Sequence, residues 1–375
     1  MAIEKSIYKY LQLYAEPISN IAKEINQLDY THALVIPVYD EYQNSLNLLI
    51  NLNSLKLNGK LLITLVINDN ELSSDGTKQH NKCLYDFLLS KNIIIQNPNF
   101  SLISYSDNID VAIFYLCENN HIQSKQGVGL ARKIGCDFIL QICQNKDSNI
   151  KWIHSTDADV ILPDDYFKQI PEKLETTISA YVYDFEHYVP NNDNKIIDAI
   201  NIYENSLRVY VNGLASAGSS YSYHTIGSLL AVSPLSYAQV RGFPKLNAAE
   251  DFYLLNKLAK VAPIKTLQGE KIKLQARLSK RAPFGTGPAL SRIIERDENF
   301  ISSLNYQIEL FEKLKIIINF INHLPIANPE IFLSETYPDI HHTLETIGFY
   351  QALRKIERNT KNKLQLPKHM HDWFD

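Results

Sequence analysis

The chain alternates between two hydrophobic rhythms. Residues 33–39 (ALVIPVY) form a short continuous apolar run, the pattern of a strand buried on both faces. Leu46, Leu49 and Ile50 then recur at the spacing of one helical face. A second buried-strand run, LLITLVIND, covers 61–69, and a helix carrying Leu84, Phe87 and Leu88 follows. Residues 111–119 (VAIFYLCEN) read as a strand, 127–143 as a helix and 150–155 as a further strand. Strands alternating with helices predict an α/β fold with a mainly parallel sheet and right-handed crossovers. Such sheets bind ligands beyond the carboxyl ends of their strands. Asp40, Glu41, Asp69, Asp157 and Asp159 all fall at or just past those ends.

The rhythm loosens after Pro171. Residues 178–185 read as a strand and 194–210 as a helix, while the small, polar stretch NGLASAGSSYSYHTIGS (212–228) predicts a loop. GSLLAVS returns to strand, and EDFYLLNKLAK (250–260) to helix. From about 291 the chain is helical in pattern. Leu310, Leu314, Ile317, Ile321 and Leu324 mark a helix expected to pack on the preceding domain. The expected organisation is a helical segment at 1–30, a sheet domain at 31–290 with halves meeting near 160, and a helical extension at 291–375.

Composition narrows the function classes. With 375 residues, 45% hydrophobic and 21% charged, the chain can bury a full core. A formal charge of -4 gives no cationic field for nucleic acid. Cys83, Cys117, Cys136 and Cys143 show no metal or disulfide spacing, and the first residues lack the apolar core of a signal peptide. No apolar run approaches the ~20 residues of a bilayer span. A cytoplasmic protein is expected. A peripheral membrane or dimer contact of the C-terminal stripe is the minority reading, since Lys313 and Lys315 flank it without forming a basic patch.

The densest chemistry lies in WIHSTDADVILPDDYF (152–167), where a β-leaning run ends in Asp157 and Asp159. Two carboxylates that close repel unless water, hydrogen bonds or a cation compensates them. In isolation they read as solvated turn residues; at the end of a buried strand they read as ligands of something positive. Glu250 and Asp251 open a helix, where backbone donors and the helix dipole stabilise anions, so capping competes with catalysis as their role. His224 in SYHTIGS reads either as a contact to acceptor or metal or, more commonly for a lone histidine, as structural. The pair His341 and His342, and His369 with His371, lack partners at metal spacing.

Four segments, in order, resemble those of nucleotide-sugar glycosyltransferases of the GT-A fold, most closely glycosyltransferase family 2. VIPVYDE (35–41) resembles the first-strand signature, with Asp40 for the commoner Asn. GVGLARKIGCDFIL (127–140) resembles the glycine/Ala-Arg-Asn helix, with Lys133 for Asn. STDADV (155–160) resembles the Asp-x-Asp motif. Residues 227–258 resemble the acceptor-side strand, the Gly-Gly-Phe turn (here Arg241, Gly242, Phe243) and the Glu-Asp pair. The match spans roughly 31–260, and the ordered set is what carries it.

The resemblance implies transfer from a nucleoside-diphosphate sugar to an acceptor, which is a glycan, lipid or small molecule. It implies a divalent cation, Mn²⁺ or Mg²⁺, on Asp159, with Asp157 on the donor ribose or the cation's water shell. Asp251, beside Glu250, is implied as the base of an inverting transfer. Pro37, Tyr39, Glu41, Asp69 and Arg132 are implied on the donor side. Asp69 or Asp75 contacts the base, because the usual Asp-Gly-Ser turn is altered to NDNELSSDGT. Lys280 and Arg281, beside Gly285-Thr286-Gly287, are a candidate lid over the diphosphate or a solvated basic turn. Two alternatives stand beside this: a degenerate sugar-nucleotide-binding protein, and a haloacid-dehalogenase-type phosphatase. The latter expects Thr or Val where Ile161 stands.

Overall fold

The computed structural model describes residues 2–25, 29–172, 177–279 and 283–374. β1 (Tyr30–Val38) and β2 (Lys60–Asn68) are the two continuous apolar runs, and both are buried almost end to end. They pair in parallel from Tyr30 against Lys60 to Val38 against Ile67. The crossover, α2 (Tyr42–Ser54), buries Leu48, Leu49 and Leu52. Its inward face is therefore rotated from the expected one, and Ile50 points to solvent.

After α3 (Asp75–Leu89), a hairpin of β3 (Asn92–Asn97) and β4 (Phe100–Ser106) delivers β5 (Ile109–Leu116) beside β2. The hydrophobic pattern does not predict this hairpin. Ile93 and Ile94 of the edge strand β3 are exposed, so no buried face imposes a period of two. β5 stops at Leu116 rather than Asn119, because Glu118–Asn120 turn into a short 3₁₀ segment. α4 (Gly127–Ile142) then crosses to the other side of β1. There β6 (Ile153–Ser155) pairs with Ala33–Val35. Strand order reverses at β1, the switch point at which parallel sheets leave a crevice.

β7 (Val160–Ile161), β8 (Ala180–Val182) and β9 (Phe185–Tyr188) follow, then α5 (Asn194–Ser216), β10 (Leu230–Val232), α6 (Pro234–Gln239), α7 (Glu250–Ala259), β11 (Ile264–Thr266) and β12 (Ile272–Gln275). Among the described residues the main sheet has nine strands in the order β11-β8-β10-β6-β1-β2-β5-β4-β3. Only β4 and β10 run against the rest. This is the mixed, mainly parallel sheet flanked by helices that the sequence implies. The single strand expected at 178–185 is two, because the chain leaves the main sheet after Val182 and β9 joins β7 and β12 in a smaller sheet. α5 runs six residues past the expected Tyr210 (Ser216 against Tyr210) into the segment read as loop. Gly213 makes room there for the Phe311 ring, which would lie 2.4 Å from an added Cβ.

α1 (Ala2–Leu13) is tied to α4 by buried polar contacts. Tyr10 Oη donates to Asp137 Oδ1 at 2.5 Å, Lys133 Nζ lies 3.1 Å from Asp137 Oδ2, and the Glu16 N–H donates to Oδ2 at 2.8 Å. Tyr237 Oη adds a fourth contact to the carboxylate at 3.1 Å. A buried carboxylate is tolerated only with such a cage.

By contacts the chain divides into two units, Met1–Glu204 with Tyr223–Ile301, and Asn205–Ser222 with Ser302–Asp375. The second unit has its own core, in which Ile317, Ile321 and Leu324 of the expected stripe meet Leu333, Leu344, Phe349, Leu353, Leu366 and Met370. Leu310, the first member of that stripe, is exposed. No helix among the described residues is long and apolar enough to cross a membrane.

Candidate active site

β1 and β6 end together, and two arginines tie down the carboxylates beyond them. Arg132, on α4 and 2% exposed, donates from Nε to Glu250 at 3.0 Å, from Nη1 to Ser155 Oγ at 2.7 Å and from Nη2 to Asp157 at 2.5 Å. Arg277, two residues beyond β12, lies 2.8 Å from Asp159 and also forks onto Glu41. Asn44 donates to the same Glu41 carboxylate at 2.5 Å. The strand-end aspartates are thus compensated by guanidinium groups rather than by water alone. Planar, permanently charged forks suit that task better than lysines do.

Small residues allow this assembly. The Gly129 N–H donates to Leu246 O at 2.8 Å, and a Cβ on Gly129 would fall 2.3 Å from Pro244 O. α4 therefore lies against the 244–247 strap that leads into α7, which brings Glu250 to Arg132. Ala249, immediately before Glu250, sits in the left-handed region at φ 61°, a strained conformation for alanine. Gly227 leaves space for the guanidinium itself, since a Cβ there would lie 2.5 Å from Arg132 Nη2. Three hydrogen bonds pin that guanidinium, so it cannot yield cheaply. Gly227→Ala is expected to damage site and fold together, cutting turnover and lowering the melting temperature, because the methyl group displaces a buried guanidinium from its carboxylates. Steady-state kinetics beside a thermal melt would check this.

Pro37 lies within β1 opposite Val66, past the Val35–Ser155 pair at which β6 stops. Its missing N–H costs little where the neighbouring strand has ended. Tyr39 Oη is 2.9 Å from Ser73 Oγ. Asp40, at φ 59°, turns toward α3: its N–H donates to Asn81 Oδ1 at 3.1 Å, and its carboxylate meets His80 Nδ1 at 2.7 Å and Thr77 Oγ1 at 3.3 Å. Asp and Asn tolerate that conformation best among non-glycine residues.

Asp69 follows directly on β2 and is buried. Its Oδ2 accepts the Glu118 N–H at 3.4 Å, while Oδ1 takes no hydrogen bond. Burial raises its pKa, and the Glu118 N–H works against that rise. Asp75 is an exposed first-turn residue of α3, whose cap is Ser74 accepting from the Thr77 N–H at 3.1 Å. Of the two aspartates, Asp69 is the buried one with an unmet oxygen.

Asp251 is partly exposed, and its Oδ1 accepts the Phe252 N–H at 2.7 Å. Burial, then the neighbouring Glu250 charge, push its pKa up to about 7 against the pull of Arg132. Lys133 faces away from these groups, toward Asp137 and Tyr10. Lys280 and Arg281 lie outside the described residues. His224 is buried against Phe185, and His341, His369 and His371 hydrogen-bond Tyr350, Thr360 and Asn322 respectively.

Arg277, Ser155 and Asn44 are the contacts that sequence reasoning missed. Arg277 stands in the RLSKRAPFGTG segment read as a lid, and only its position after an apolar strand sets it apart from Lys280 and Arg281.

No family model matches the chain, and no curated protein sequence matches it. Among solved structures, it is similar to S. aureus TarS 1–349 in complex with UDP-GlcNAc, at 12% identity over 87% of this chain and 81% of that one, TM-score 0.40. It is also similar to the mannosyltransferase PcManGT from Pyrobaculum calidifontis in complex with GDP-Man and Mn²⁺, at 13% identity over 99% and 95%, TM-score 0.41. These chains superpose loosely, so the site itself has to carry the function.

Proposed function

We propose that this chain is a metal-dependent glycosyltransferase of the family 2 type, moving a sugar from a nucleoside-diphosphate sugar to an acceptor hydroxyl with inversion. The observation that carries this reading is buried Arg132, which holds half-exposed Asp157 of the strand-end pair and buried Glu250 of the helix-opening pair in one cluster. Donor-side and acceptor-side carboxylates thereby share a site at the switch point of the sheet, in the order that the resemblance implies.

A divalent cation fits the residues present. Asp157 and Asp159 offer the oxygen donors that a hard cation prefers. Among the described residues no group of three or more His, Cys, Asp or Glu forms a cage. A cation that arrives on a diphosphate needs only one or two protein carboxylates. Held by Asp159 and Asp157, it would neutralise the charge developing on the leaving diphosphate.

The chain's own residues supply the rest. Asp69, at the end of β2, is the carboxylate assigned to a ring N–H of the donor base, which uracil, thymine and guanine possess and cytosine and adenine lack. Arg132 fixes Asp157 and Glu250 and moderates the basicity of Asp251. Asp251 takes the proton of the acceptor hydroxyl as that oxygen bonds to the anomeric carbon; the bond to the diphosphate breaks on the opposite face, and the diphosphate leaves with its electron pair. The departures from the family pattern leave these groups in place, since Asp40 orders α3 and Lys133 anchors the N-terminal helix.

Asp159→Asn tests the cation's place. The variant is expected to lose donor turnover by at least roughly 10–100-fold, with part of the loss recovered at raised Mn²⁺. Unchanged turnover and unchanged metal response would remove Asp159 from the site.

A further inference from the structure

A cavity of about 210 Å³ opens between the end of α2, the residues leading into β6 and the 164–172 segment. It lies toward the starting end of β1, whereas the carboxylate cluster lies beyond the finishing ends of β1 and β6. The two come nearest at β6, where His154 lines the cavity and the adjacent Ser155 accepts from Arg132. The volume falls below the ~300–1,000 Å³ of drug-sized sites and is on the scale of one sugar ring rather than a nucleotide.

The lining has a definite chemistry. The His32 and Phe167 rings meet at 4.8 Å between centroids, tilted by 34°, and His154 meets the Phe167 ring edge-on at 5.0 Å, so the floor is aromatic. Trp152 adds a further ring to the wall. Lys56, Lys151 and Lys168 reach the cavity from three separate stretches of chain. None of the three lies within ion-pair distance of a carboxylate among the described residues, although Asp164 and Glu172 also line the space.

The floor also holds a polar atom without a partner. His154 is 4% exposed, and Nδ1 lies 3.1 Å from Tyr183 Oη. Tyr183 has one hydroxyl proton, which it donates to Tyr166 O at 3.0 Å. The contact to His154 is therefore made by an Nδ1–H donating to the phenol oxygen. Burial lowers the His154 pKa to about 3, so the ring is neutral and Nε2 carries the lone pair. No hydrogen bond satisfies Nε2 among the described residues, and it is an acceptor on a residue lining the cavity.

An aromatic floor suits the C–H face of a sugar ring, a buried acceptor suits a hydroxyl, and unpaired lysines at the rim suit a phosphate. We propose that this cavity is a second ligand site, taking a phosphorylated sugar of monosaccharide size. It is separate from the donor site proposed above and does not depend on that assignment.

Trp152 and Trp373 are the two tryptophans of the chain. Trp373→Phe in the full chain leaves Trp152 as the sole reporter inside the cavity. Titration with glucose 6-phosphate is expected to change its fluorescence saturably. Glucose and inorganic phosphate, each offering half of the chemistry, are expected to bind at least roughly tenfold more weakly. Replacing Lys56, Lys151 and Lys168 together by Gln, all exposed positions, is expected to abolish the response without lowering the melting temperature. No saturable response to glucose 6-phosphate would overturn the site. An equal response to phosphate alone, or one surviving in the lysine variant, would overturn the assigned ligand.

Discussion

Asp251→Asn is expected to abolish sugar transfer, by about 10²–10⁴-fold in kcat, while donor binding persists. Amide and carboxylate have the same shape, and the amide oxygen can still accept the Phe252 N–H, so the loss would be chemical rather than structural. In the unmodified chain the rate should rise with pH through about 7, because only ionised Asp251 accepts a proton and burial beside Glu250 holds its pKa there. Stability should move oppositely. The folded chain binds this proton more tightly than the unfolded chain, whose aspartates titrate near their ordinary 3.8, so ionising Asp251 costs stability as pH climbs from about 4 to about 7. Asn carries no such cost. The variant is therefore expected to melt at or above the parent's temperature at pH 8, and a variant that loses both activity and fold would contradict this account of Asp251.

Arg132→Gln is expected to damage fold and chemistry together. Glu250 is 4% exposed and its carboxylate is held by the Arg132 Nε. Removing one member of a buried ion pair leaves an uncompensated charge, at a cost of about 3–5 kcal/mol. Arg132 also pulls the Asp251 pKa down, so without it the base should titrate higher. The pH–rate profile of the variant should thus shift toward alkaline pH in addition to losing amplitude. Thermal melts and a pH series on the same preparation would separate the two effects. A profile that keeps its midpoint would show that Arg132 does not act on Asp251.

The site is legible in the sequence wherever a local pattern ends in a charge. β1, β2 and β6 are buried runs, and Asp69, Asp157 and Asp159 announce themselves by following such runs. Arg132 is legible only through the resemblance, because nothing in the spacing of α4 marks one buried arginine. Arg277 is not legible. It pairs with Glu41 from 236 residues away, and no periodicity encodes a contact that tertiary folding creates. The split of 178–188 into two sheets is hidden for a related reason: AYV (180–182) and FEHY (185–188) are separated by two residues, and only the neighbours available to each decide which sheet it joins. Lys133 misleads in the opposite direction. It looks like a damaged motif position, yet it compensates buried Asp137 beside the N-terminal helix.

Nucleotide release from UDP-, GDP-, dTDP- and CMP-sugars, with Mn²⁺, Mg²⁺ or EDTA, tests the central claim most directly. Metal-dependent release from one donor whose base carries a ring N–H, lost in EDTA and retained in Trp373→Phe, is the result expected. Absence of release from every donor, together with no donor-induced rise in melting temperature with either metal, would contradict a nucleotide-sugar site in this crevice.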